Sequence, residues 1–175
     1  MLRILAPAAA FAALLVATPA SAAPPGDWHY VMRGAGELAH YVYFVDRSGI
    51  EQIGRAVRVR TLEVTIANGK VEETVLTTRQ FDCKRPLMQV LSYTVFDADG
   101  RKTGEGGEEE RARVQPYTLN EWGEAYSCKP FWRTKTKSYP AVADPERFAL
   151  DVDSGVIKLP LYRGGIWWIG EVRIL

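Results

Sequence analysis

Apolar side chains recur at every second position in the segment from Asp27 to Arg33, at Trp28, Tyr30 and Met32, which predicts a strand with one buried face. After a Gly34-Ala35-Gly36 turn, His40 to Val45 is rich in Tyr, Val and Phe and reads as a second strand, stopped by Asp46-Arg47-Ser48-Gly49. Arg55 to Ile66 is a third. Its apolar phase slips by one, from Val57 and Val59 to Leu62, Val64 and Ile66, and such a slip predicts a β-bulge that keeps one face toward the core. Asn68-Gly69 then predicts a type I′ hairpin, because both residues tolerate positive φ. Val71 to Cys83 and Leu87 to Phe96 follow as strands four and five, joined through Lys84-Arg85-Pro86 and closed by Asp99-Gly100.

The pattern then changes. Gly104 to Glu110 has no apolar residue and reads as a mobile surface loop or a solvated hairpin tip. Beyond Pro116, Thr118 and Glu121 have capping-box spacing, and Leu119, Trp122, Ala125 and Tyr126 form a helical stripe that can lie on a sheet. Asp144-Pro145 has the composition of an N-cap and first helical residue, so a short helix is expected to about Leu150. Val156 to Tyr162 and Ile166 to Leu175 read as two strands joined at Gly164-Gly165, a C-terminal β-hairpin with Pro160 near an edge.

The N-terminus changes how the rest is read. Arg3, an apolar stretch from Ile4 to Val16 and the A-x-A pattern Ala20-Ser21-Ala22 predict a signal peptide over residues 1–22, cleaved between Ala22 and Ala23. That stretch is short for a spanning helix, and no later segment is long and apolar enough for one. No cysteine stands near the cleavage site to carry a lipid. The expectation is a periplasmic, secreted or cell-surface protein that is not a lipoprotein. In such a compartment the two cysteines, Cys83 and Cys128, read as a disulfide that clamps the helix end to the end of strand four. The 22 basic and 21 acidic residues nearly cancel, and losing Arg3 leaves them equal, so no global field favours nucleic acid.

The order Trp28-x-Tyr30, Tyr43-Phe44-Val45-Asp46-x-Ser48-x-Ile50, an Arg-rich strand, Phe81-Asp82-Cys83 and a helical Cys128 resembles the surface-adhesin protein E family over about residues 27–129. The resemblance implies an α+β fold, with an antiparallel sheet of about six strands and a helix tied to one face by the Cys83–Cys128 bridge. It also implies a non-enzymatic envelope protein that binds extracellular host proteins and associates as a dimer. Residues 23–129 would form that domain and residues 130–175 an extension packed on it. This chain departs from the adhesin in lacking a lipid-anchor cysteine and in carrying the extension. A periplasmic structural or stress-related module is the alternative.

Chemistry-bearing patterns are few. His29 and His40 have no metal-ligand spacing, so no metal or cofactor is expected. Asp46 and Ser48 can be read as part of a hydrolytic triad completed by one of those histidines, or as a turn cap held by side-chain to backbone hydrogen bonds. Glu108, Glu109 and Glu110 read as a solubilising run. Cations and aromatics interleave from Phe131 to Tyr139. Trp132, Arg133, Lys135, Lys137 and Tyr139 there form either a strip facing an envelope protein or sulfated glycan, or an edge strand guarded by lysines. Trp167-Trp168 in the tail read either as an exposed aromatic anchor or as a pair on a strand with both faces covered, and the tail is equally a candidate contact surface for a homodimer.

Overall fold

Long alternating segments become strands because each can bury one row of side chains and pair its backbone on both edges. The computed structural model describes residues 23–36, 38–116, 118–134, 140–163, 166–169 and 172–174, the last segments from residue 160 by backbone alone. The strands are β1 (Trp28–Ala35), β2 (His40–Asp46), β3 (Glu51–Ile53), β4 (Ala56–Ala67), β5 (Lys70–Asp82), β6 (Leu87–Asp97), β7 (Lys102–Gly106), β8 (Ala112–Arg113) and β9 (Ala141–Val142). They form one antiparallel sheet in the order β7-β6-β5-β4-β2-β1-β9, with β3 beside the start of β4 and β8 beside the start of β6. The helices are α1 (Leu119–Cys128), α2 (Pro130–Arg133) and α3 (Pro145–Asp153).

The sheet therefore has nine strands, where about six were expected. β3, β8 and β9 are two or three residues long, too short to show a period. β7 lies partly in the Gly and Glu run read above as a loop: Gly104 and Gly106 pair with Val95 and Tyr93. An apolar count misses this strand because its glycines make room for β6. A Cβ on Gly106 would sit 2.2 Å from the Tyr93 ring.

Both faces of the central strands are covered, by different helices. Val31, Tyr43, Val45, Val59 and Phe81 pack under Trp122 and Tyr126 of α1, while Trp28, Tyr30, Val42, Phe44, Leu62, Val64 and Ile66 pack with Val142 and Ala149. This corrects the expectation of a helix on one face only. It also explains why Val42 to Val45 in β2 are each fully buried. α3 thus supplies part of a second core.

Two register features follow from the double burial. The phase slip in β4 is not a bulge, for its pairing with β2 is continuous from His40–Ile66 to Val45–Thr61, and with β5 from Ala56–Asp82 to Thr65–Glu73. Instead the strand passes from beneath α1, where Val57 and Val59 face the core, to beneath α3, where Leu62, Val64 and Ile66 do. The bulges lie elsewhere. Val31 is the extra residue between Tyr30–Phe44 and Met32–Tyr43, so Met32 turns to the α1 face and leaves the row of Trp28 and Tyr30. Glu72 is extra in β5 and Leu91 in β6.

The local signals at the element ends hold. Asn68 has φ 53° and Gly69 φ 70° in the β4–β5 hairpin. Thr118 caps α1 by accepting from the Glu121 N–H at 3.4 Å, and Asp144 caps α3 by accepting from the Arg147 N–H at 3.0 Å. The helix at Pro145 runs to Asp153, past the expected end at Leu150. Val156 to Leu159 is not strand. The backbone of β10 (Pro160–Arg163), β11 (Ile166–Ile169) and β12 (Val172–Ile174) forms a separate three-stranded antiparallel sheet, with Gly164 and Gly165 outside the described residues.

Candidate functional site

Cys83 follows the end of β5 and Cys128 ends α1; their sulfurs are bonded, with the Cα atoms 5.3 Å apart. Gly123 lets α1 approach the sheet: a Cβ there would lie 2.8 Å from the Tyr43 Oη. Beyond Lys129 the short helix α2 carries the first residues of the aromatic and cationic stretch. Phe131 is 67% exposed, whereas Trp132 stands edge-on to Trp122 with ring centroids 5.7 Å apart. Arg133 donates from Nε to the Tyr126 carbonyl at 3.1 Å and from Nη2 to the Ser127 carbonyl, satisfying acceptors at the C-terminal end of α1. Phe131, Trp132 and Arg133 are helical, so the edge-strand reading does not hold for them. Lys135, Lys137 and Tyr139 lie outside the described residues, as does Ala22 of the expected cleavage site. Ala23 is described and packs against the α3-side core.

Asp46 and Ser48 form a turn cap, not a reacting pair. The Asp46 carboxylate is wholly buried and accepts from the Asp27 N–H at 3.0 Å, the Ser48 N–H at 3.1 Å, the Ser48 hydroxyl at 2.7 Å and Arg60 Nε at 2.9 Å, with Arg60 Nη2 closer still. Burial pushes its pKa up, but the hydrogen bonds from Ser48 and Arg60 and the Arg60 charge outweigh it, so the carboxyl titrates below its usual range. Arg60 also covers the Trp28 ring, 5.6 Å from its centroid.

Neither histidine joins Asp46 and Ser48 in a triad. His40 opens β2 and Asp46 ends it, roughly 20 Å apart at strand rise. His40 instead meets Asp153 at the end of α3, where Arg33 donates to Asp153 Oδ1 at 3.2 Å and lies 2.9 Å from His40 Nδ1. His29 is buried, with Nε2 3.2 Å from Asp27 Oδ1 and its ring 6.0 Å from Tyr126. Among the described residues no group of three or more His, Cys, Asp or Glu side chains can hold a metal.

Two polar groupings were not visible as patterns along the chain. On the α1 face, Arg79 donates to Thr61 Oγ1 at 3.0 Å and Asn120 Oδ1 at 2.5 Å and lies over the Tyr43 ring. Glu63 lies nearby, its carboxyl pushed up by burial, with Arg79 lowering it and Glu73 adding to the rise. On the α3 face, at the end of the sheet away from that helix, is an open cleft of about 200 Å³ lined by Ile53, Arg55, Gln80, Asp82, Leu87, Gln89 and Arg111 among others.

Comparison with protein-family models, curated proteins and solved structures finds no match. Arg55, Gln80, Gln89 and Arg111 come together only through strand pairing, and the one hint in the sequence is the density of arginine and glutamine near the strand ends.

Proposed function

We propose that this chain is an exported, non-enzymatic envelope protein that acts by contact with an extracellular or envelope protein or a sulfated glycan. The observation that carries this reading is Phe131: a large aromatic that keeps two thirds of its surface exposed three residues after Cys128, the disulfide-tethered end of α1. A rigid mount reduces the entropy lost when such a side chain docks. Arg133 is occupied with helix carbonyls, so the cationic part of the contact falls to Lys135 and Lys137, beside Tyr139. The resemblance to surface-adhesin protein E supports adhesion as the role, and the bridge is consistent with an oxidising compartment. No helix among the described residues is long and apolar enough to cross a membrane.

The test has two parts. Protease added to intact cells should digest the protein; protection until the outer membrane is opened would leave it a periplasmic module without an adhesive role. Capture of partners from an extracellular-matrix or envelope extract should fall in Phe131→Ala, Lys135→Ala and Lys137→Ala combined. Unchanged capture would discard the strip.

A further inference from the structure

The cleft on the α3 face is built from in-register rows. Arg58 of β4, Gln80 of β5 and Gln89 of β6 face the same side, because Arg58 pairs with Gln80 and Gln80 with Gln89. The adjacent row runs Ala56, Asp82, Leu87 and Arg113, and β3 and β8 pair at its two ends. α3 packs over the other end of this face, on Leu62, Val64 and Ile66.

Its polar groups are only partly used. Gln80 makes no side-chain hydrogen bond among the described residues, and Arg111 reaches only Gln89 Oε1, at 3.4 Å. Arg55 and Arg85 share the single carboxylate of Asp82, at 3.3 and 2.7 Å, which leaves one guanidinium charge in surplus. Beside the cleft, Arg58 meets Glu51 at 3.3 Å with both side chains exposed, so water competes for that pair. Gln89 holds Glu108 at the rim at 2.6 Å.

From this we infer that the cleft binds a sulfated glycan, with Arg55 and Arg111 on the sulfate groups and Gln80 on the sugar hydroxyls. This deepens the reading of the chain as an exported binding module, and rests on it. Planar guanidinium groups match anionic oxygens in pairs, and an amide offers both a donor and an acceptor to a hydroxyl. Ile53, Ala56, Leu87 and Met88 complete the lining with apolar surface on which a sugar ring can lie, and an acidic peptide is the competing occupant that the test separates. With the leader removed the formal charge is zero, so attraction to a polyanion must come from a local patch such as this one.

The test is titration calorimetry of the purified protein with a heparin-derived hexasaccharide, its desulfated form and a poly-glutamate peptide. Binding is expected for the sulfated sugar alone. Arg55→Gln with Arg111→Gln should weaken it by about tenfold or more. Gln80→Glu, an exposed-face change that preserves the strand, should abolish it. Unchanged affinity in these variants, or equal affinity for poly-glutamate, would overturn the assignment. Loss confined to Lys135→Ala and Lys137→Ala would also overturn it, while leaving the binding-module reading in place. Absence of any sugar binding would overturn it too, with capture of protein partners still deciding that reading.

Discussion

Replacing both Cys83 and Cys128 by Ala removes the covalent tie between β5 and α1 without leaving a reactive thiol. The bridge spans 45 residues, and closing a loop of that length in the unfolded chain corresponds to about 4 kcal/mol of stabilisation. Set against the 5–15 kcal/mol typical of a domain, that is a large share. The native contacts of α1 do not depend on the sulfurs: Trp122 and Tyr126 stay in the core and Thr118 still caps the helix. The double variant should therefore fold to the same secondary structure and unfold at much lower denaturant. Because the cross-link acts mainly on the unfolded ensemble, the slope of stability against denaturant should also rise as the freed chain exposes more surface. Guanidinium titration followed by far-UV circular dichroism and tryptophan fluorescence measures both quantities. A loss under about 1 kcal/mol with an unchanged slope would refute the loop argument.

Asp46→Asn should cost about 3 kcal/mol, the low end for breaking a buried ion pair, because Arg60 keeps access to water. The folded pKa of Asp46 is lowered, so its contribution is complete above the unfolded value of 3.8 and disappears as pH falls through the still lower folded value; thermal melts of the two proteins should converge in strong acid. Glu63→Gln has the opposite sign. A raised folded pKa means the charged form is disfavoured on folding, so this variant should melt higher than wild type at neutral pH and lose that advantage as pH falls through the folded value toward 4.5. Gly123→Ala should destabilise by about 1–3 kcal/mol in chemical unfolding, although alanine is the better helix former, because its Cβ meets the fully buried Tyr43.

Features set by neighbours along the chain were legible in advance: the Asn68-Gly69 turn, the Thr118 and Asp144 caps and the five long strands each depend on a few adjacent residues. What failed were inferences about which face a side chain takes. The slip in β4 is the clearest case, since a strand that serves two cores and a strand with a bulge show the same pattern, and only the positions of α1 and α3 separate them. A single extra residue such as Val31 reverses every later side chain, as it does for Met32.

The cleft shows the same limit. Counting back from the Asn68-Gly69 hairpin pairs Arg58 with Arg79, and only the bulge at Glu72 shifts its partner to Gln80. The amino-acid sequence determined the strands, the caps and the cysteine pair because those follow from local propensity and from there being two cysteines to join. Tertiary structure decided the faces, the second core and the arginine and glutamine rows, because bulges and helix placement are settled by packing between segments distant in the chain.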